Sequence, residues 1–379
     1  MDWVRRTVPH LALILTVSGP VVQRACDATP MASPDEVFET VDGVRFRVEV
    51  VATNLVIPWS LAFAPDGRLF FTERPGRVRI IENGSLRAEP ALTLTDVFAR
   101  GEAGLLGLAL HPRFDENGHV FLVYTVDRPG QTPLNRVMRY RELAGSLAEG
   151  IVIFDAPQGN TLHDGGRLRF GPDDKLYLTM GDALDLDLPQ DLASSNGKIF
   201  RLEDDGRTPA DNPFGSPVYT YGHRNPQGLD WHPITGDLWA TEHGATGNDE
   251  INLIQPGGNY GWPVIEGAQS MPGMRTPVRF FTPSIAPSGA SFYTGSAFPA
   301  FEHDLFFGAL GGNHLHRVRL NPQDPSLILD DERLLAGRFG RIRDVVPGPN
   351  GALYFSTSNR DGRGPATDDD DRIARLVPK

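Results

Sequence analysis

Cysteine is nearly absent: the 379 residues contain one, Cys26, which excludes an intramolecular disulfide and any metal cluster built on thiolates. Basic residues are outnumbered, 36 Lys and Arg against 48 Asp and Glu, and they are scattered among acids for a formal charge of −12. Nucleic-acid binding needs clustered cations, so that class falls away, and any anionic ligand must be held by a local group of arginines. Beyond the N-terminus no apolar run is long enough to span a bilayer. No strong 3.6-residue periodicity marks a helix either, although residues 189–196 could form a helical turn. Glycine (41) and proline (32) are abundant instead, which favours short strands joined by tight turns.

The chain begins Met1-Asp2-Trp3-Val4-Arg5-Arg6, then runs through an apolar stretch from Leu11 to Val17 into small and polar residues up to Ser33. A basic start and a short apolar core predict a secretory signal, so residues 1–33 are read as a signal peptide or disordered segment. The product is expected to be exported, to the periplasm or beyond. Cys26 follows Ala25, as a lipid-attachment cysteine would, but Gln23 and Arg24 stand where such a signal has Leu and a small residue. A lipid anchor at Cys26 and an unmodified thiol both stay open.

One phrase recurs six times: an apolar or aromatic residue, Pro, a Gly/Asp/Asn turn, then a short strand of bulky residues. The copies begin at Phe63-Ala64-Pro65-Asp66-Gly67, His111-Pro112, Gly171-Pro172-Asp173-Asp174, His232-Pro233, Phe298-Pro299 and Gly348-Pro349-Asn350-Gly351. Asp-Gly and Asn-Gly supply positive φ for a hairpin, and the residues that follow favour a pleated strand. Units spaced at roughly fifty to sixty-five residues match four-stranded blades closed radially, which protects the sheet edges. Residues 34–379 are therefore predicted to be an all-β, six-bladed β-propeller of four-stranded antiparallel blades. The acidic residues 368–371 read as a solvated loop.

Propellers carry function on loops at one channel end, and four stretches there are rich in chemistry. In His163-Asp164-Gly165-Gly166-Arg167-Leu168 an imidazole precedes a glycine pair; it is either a proton acceptor or a satisfied structural histidine. In Gly222-His223-Arg224-Asn225-Pro226-Gln227-Gly228 a guanidinium and an amide suit a carboxylate or quinone oxygen, or simply cap neighbouring carbonyls. Glu242-His243-Gly244-Ala245, Asp249-Glu250-Ile251-Asn252 and Asn259-Tyr260-Gly261-Trp262 offer the hard oxygens that calcium prefers, without EF-hand spacing. In Arg341-Ile342-Arg343-Asp344 strand alternation puts both arginines on one face, as a cationic wall or as an edge paired to Asp344.

In this order, and with Gly101-Glu102-Ala103-Gly104, these phrases resemble the soluble aldose dehydrogenases that use pyrroloquinoline quinone (PQQ) and calcium, the glucose/sorbosone dehydrogenases, over residues 54–378. The resemblance implies oxidation of the anomeric hydroxyl of aldose sugars to lactones. It makes His163 the base, Arg224 the group polarising the quinone oxygens, and Asp182 or Asp249 the carboxylate orienting the imidazole. Arg341 and Arg343 would hold the PQQ carboxylates, with Asn225 and Glu102 beside them. The carbonyls of Gly244 and Ala245 would bind one calcium, and Glu250 with the Tyr260 carbonyl a second. The partners implied are an aldose and an external electron acceptor, with the protein a monomer or homodimer. Three positions depart from the pattern: residues 310–313 lack a lysine, Ala245 replaces a proline, and Glu102 replaces a glutamine, adding negative charge unless protonated or turned away. A calcium-dependent propeller lactonase, with Asn160, Asp182, Asn225 and Asp249 around the metal, and a non-catalytic binding propeller remain alternatives.

Overall fold

Each copy of the recurrent phrase is the turn between the first two strands of a blade. The computed structural model describes residues 35–156 and 158–379, and it contains six antiparallel sheets. Their innermost strands are Pro58–Phe63, Leu105–Leu110, Leu168–Phe170, Pro226–Trp231, Pro287–Phe292 and Ile342–Pro347, for blades one to six in that order. Each packs against the next and the sixth against the first, so the sheets close into a ring. The expected six-bladed β-propeller is what forms. The signal-peptide expectation and the alternatives at Cys26 lie outside the described residues. Among the described residues no helix is long and apolar enough to cross a membrane.

Closure depends on the start of the chain, a feature the repeat does not announce. Arg45–Ala52 pairs with Ile373–Pro378 as the fourth strand of blade six, and Phe38–Glu39 adds a short fifth. Ring closure thus uses ordinary ladder hydrogen bonds between distant parts of the chain. Between neighbouring blades lie six apolar clusters, for instance Phe70, Val78, Leu105 and Leu122 between blades one and two. Burying a side chain of that size is worth roughly 1.5–3 kcal/mol, so blade-to-blade packing carries most of the cohesion.

The turns behave as their residues dictate, with Gly67, Gly118, Gly236 and Gly351 at positive φ. The fifth copy puts His303 at φ 68° where the others place glycine or Asp174. Two expectations need correction. Residues 189–196 form consecutive turns, not a helix; the one α-helix among the described residues is Phe114–Asn117. The acidic run is only half solvated: Asp370 and Asp371 are buried, and Asp371 accepts the Ile57 amide at 3.1 Å and the Thr357 hydroxyl at 3.2 Å. Unfilled main-chain donors at the seam between blades six and one explain its burial.

The channel is not open throughout. Arg167, fully buried, donates from Nε to the Gln227 carbonyl (2.8 Å), lies 3.1 Å from Asp344, and stacks at 4.4 Å over Trp59. Asp344 also accepts the Leu61 amide at 2.8 Å. The group joins blades one, three, four and six across the axis.

Candidate active site

Strands one and two of a blade are antiparallel, so the segment entering strand one and the turn leaving strand two meet at the same end. Glu102, His163, Arg224, Asn225 and Arg341 all enter first strands; Arg74, Asp182, His243 and Asp361 all follow second strands. One channel mouth therefore gathers them, opposite the recurrent turns. Two clefts of about 640 and 590 Å³ lie away from this mouth and include none of the predicted site residues, so chemistry and not size locates the site.

His163 has φ 60°, a backbone state uncommon outside glycine, followed by Gly165 and Gly166 at φ 61° and 87°. Such local strain is tolerated where surroundings over-determine it. Here they do: the His163 amide donates to Glu102 at 3.2 Å, and Nδ1 lies 2.7 Å from Asp182 Oδ1. A carboxylate only accepts, so Nδ1 carries the hydrogen and the lone pair sits on Nε2, which has no partner among the described residues. Asp182 Oδ1 also accepts the Leu184 amide (2.9 Å), and its Oδ2 accepts the Trp262 indole N–H (2.9 Å). The same indole carries the Arg224 guanidinium at 5.3 Å.

Asp249 is placed differently from expectation. Its Oδ1 accepts the Gly244 amide at 2.8 Å, and its Oδ2 accepts the Ser284 hydroxyl and the amides of Ile285 and Ala286 at 2.6–2.7 Å. No bond joins it to His163; of the two carboxylates only Asp182 meets that imidazole, and Asp249 anchors the Gly244 loop. Four donors on one buried carboxylate explain the difference, because its lone pairs are already committed.

The arginine pair does share a face, and it faces Asp361, a residue sequence reasoning missed. Arg341 Nε donates to Asp361 Oδ2 at 2.9 Å, and Arg343 lies 3.8 Å from the same oxygen. The alternative of pairing with Asp344 fails, since Arg167 and Leu61 occupy that carboxylate. Burial pushes the Arg343 guanidinium down to about 9, with Asp361 opposing. Glu102 is neither protonated nor turned away: burial would raise it, but the Arg363 guanidinium and the hydrogen bonds from Arg363 and the His163 amide hold it well below the usual carboxylate range. Arg363 meets it at 2.5 Å, and Asn225 donates to it at 3.4 Å. His243, also missed, is pushed by burial down to about 4 and so is neutral at neutral pH.

Donors outnumber acceptors at this mouth. Arg74, Arg341, Arg343 and Arg363 surround Glu102 and Asp361, and Arg74 Nε, Arg343 Nε and His243 Nε2 are buried without partners among the described residues. An unpaired buried donor costs about 1–3 kcal/mol, so an anion with several acceptor oxygens fits here. Beside it, Glu242, Glu250, Tyr260 and Glu266 line a cavity of about 10 Å³, room for one water-sized particle. Burial and neighbouring Glu242 push Glu250 up to about 8, the response of a carboxylate lacking a counter-charge. Gly244 lines this cavity too, and Ala245 follows it in an exposed position. Among the described residues no three His, Cys, Asp or Glu side chains form a metal-binding group.

A carboxylate-held imidazole beside a donor-rich cationic cradle, at one mouth of a plugged six-bladed ring, defines an enzyme-type propeller site for an anionic organic ligand. The family follows from comparison: residues 55–366 match the glucose/sorbosone dehydrogenase model, and the chain belongs to that family. It is 34% identical to the aldose sugar dehydrogenase YliI of Escherichia coli, over 83% of this chain and 91% of that one. It is 44% identical to a solved structure from Thermus thermophilus described as a putative oxidoreductase (glucose dehydrogenase), with TM-score 0.80 over 88% of this chain and 100% of that one. The PQQ-bound aldose sugar dehydrogenase of Streptomyces coelicolor is 36% identical, with TM-score 0.79 over 88% of this chain and 98% of that one.

Proposed function

We propose that this protein, as an exported sugar dehydrogenase with residues 34–379 as its catalytic domain, oxidises the anomeric hydroxyl of aldoses to lactones, using PQQ and calcium. The observation that carries the reading is the His163–Asp182 pair with Nε2 left free, beside guanidinium and imidazole nitrogens without partners among the described residues. When bound, PQQ supplies the two-electron acceptor and calcium a Lewis acid at its oxygens. Arg341 and Arg343 hold the ligand's carboxylates, Asn225 and Arg224 its ring oxygens, and the Gly244 and Ala245 carbonyls the metal. Glu250 and the Tyr260 carbonyl hold a second calcium in the small cavity, where a cation answers the carboxylate's missing counter-charge.

His163 Nε2 takes the proton of the anomeric hydroxyl as the anomeric hydrogen leaves with its electron pair, so a carbonyl forms at that carbon. Asp182 supplies the counter-charge for the imidazolium and fixes its ring. Arg224, set on the Trp262 face, stabilises the negative charge that develops. Arg74 and Arg363 bring the positive charge that residues 310–313, without lysine, do not.

The lactonase reading has less support, because Asp182 holds His163 and Trp262 and Asp249 holds the Gly244 loop, while Asn160 Oδ1 accepts the Thr161 amide and Asn225 Oδ1 the Gly165 amide. To test the proposal, aldose-dependent dye reduction is followed after adding PQQ and calcium, beside a His163→Ala variant. Activity requiring both additions and lost in the variant supports it. Sugar-lactone hydrolysis without PQQ, or no PQQ binding at all, overturns it.

A further inference from the structure

Blade five contains a buried chain of side chains that the proposed chemistry does not use. His314 and His316 are alternate residues of the strand His314–Asn321, both nearly inaccessible. Their rings join end to end: His314 Nδ1 is 2.9 Å from the Gly312 carbonyl, His314 Nε2 is 2.9 Å from His316 Nδ1, and His316 Nε2 is 3.1 Å from Asp331 Oδ1. Phe307 stacks on His316 at 4.7 Å and Phe281 meets it edge-on at 5.0 Å, which fixes the ring plane.

Each of the three contacts needs one hydrogen. The carbonyl and the carboxylate bring none, and a neutral imidazole carries a single N–H. Two neutral rings are therefore one hydrogen short, and at one of the three contacts two lone pairs would face each other. We propose that His314 and His316 hold one proton beyond their two neutral rings, placed on His316 against Asp331, and that the pair positions residues 310–313 beneath the ligand cradle.

The link to the cradle is through hydrogen bonds. His314 fixes the Gly312 carbonyl, the Gly311 and Gly312 amides donate to the Ile285 carbonyl at 2.9 Å, and Arg341 donates to the Leu310 carbonyl at 3.1 Å. The shared proton also places a positive charge behind the segment that lacks the expected lysine. Among the groups facing the pair, Asp331 favours the proton. Arg333, paired across the sheet with His316, and Arg279, 2.7 Å from Asp331, oppose it; the strand Leu305–Ala309 brings only Phe307. Burial opposes it too, pushing both imidazoles down. Against this stands the cost of two facing acceptors, which only the third hydrogen removes.

The effect on cofactor affinity rests on the proposed function; the proton count does not. In the full-length protein labelled with nitrogen-15 histidine, the His314 and His316 rings, assigned with the His316→Phe variant, are read between pH 6 and 8. One ring protonated on both nitrogens at pH 7 is expected, and two singly protonated rings throughout would overturn the proposal. His316→Phe keeps a ring against Phe307 but breaks the chain. It is expected to loosen residues 310–313, whose Leu310 carbonyl holds Arg341, and so to weaken PQQ binding about tenfold and to speed amide exchange at Gly311 and Gly312. Unchanged affinity and exchange would refute the positioning role. Should the unaltered protein bind no PQQ, the proposed function fails, while the ring nitrogens and the amide exchange still decide this inference.

Discussion

Asp182→Asn removes one negative charge and leaves one acceptor oxygen where two served three donors. If the amide oxygen stays at the Oδ1 position, the new NH2 faces the Trp262 indole N–H, donor against donor. If the amide flips, it donates to His163 Nδ1 and drives the ring hydrogen onto Nε2, which abolishes the base. In the better orientation the imidazolium formed during proton transfer loses a charged partner 2.7 Å away in a buried site. A charge-assisted hydrogen bond is worth about 1.5–3 kcal/mol, so kcat/KM is expected to fall roughly 10- to 150-fold. The assay is dye reduction by protein loaded with PQQ and calcium, with kcat and KM separated and PQQ affinity measured alongside. A variant that binds PQQ normally and keeps kcat within about twofold would refute the assignment of His163 as a base oriented by Asp182.

Trp262→Phe keeps a ring under Arg224 but removes the donor to Asp182; a loss of about 0.5–1.5 kcal/mol, some two- to tenfold in kcat, is expected, smaller than for Asp182→Asn. Asp344→Asn leaves Arg167 buried without a charged partner and is expected to cost about 3–5 kcal/mol in urea unfolding; a cost below about 1 kcal/mol would contradict the central pair. Burial pushes Asp164 up to about 7, against the Asn135 and Asn160 bonds to its Oδ1, while its Oδ2 has no partner among the described residues. Because the folded state holds this proton more tightly than the unfolded, stability from it is complete below about pH 4 and is lost as pH rises through about 7. Asp164→Asn should therefore flatten that part of the stability profile, and unfolding curves between pH 5 and 8 that keep the same slope would show the carboxyl to be ordinary.

Local rules made most of the ring legible. Five of the six turns show in sequence because positive φ favours glycine or aspartate at fixed offsets, the fifth copy placing His303 there instead, and Arg341 and Arg343 share a face because strands alternate. Closure by Arg45–Ala52 is invisible to such rules, since it joins residues more than 300 positions apart. Asp361, Arg363, Arg74 and His243 were missed for a similar reason: each follows a second strand in its own blade, and only the ring brings them to Glu102 and the arginine pair. Asp249 was misread because a sequence shows a carboxylate near a site but not how many amides have claimed it.

Trp59 shows why stability and chemistry are joined in this fold. Arg167 lies at 4.4 Å over one indole and Arg343 at 5.8 Å over the same ring, the first tied to Asp344 and the second to Asp361. The first guanidinium belongs to the plug that joins four blades; the second belongs to the cradle. Arg343 cannot retreat into solvent, because the plug fills the channel behind it and Gln227 takes its Nη1 at 3.1 Å. Its unpaired Nε is therefore held in place before any ligand arrives, and the cost of fixing that side chain, about 0.5–1.5 kcal/mol for a flexible group, falls on folding and not on binding. The plug thereby closes the channel behind the cradle, and the ligands of the proposed function reach His163 only from its own mouth.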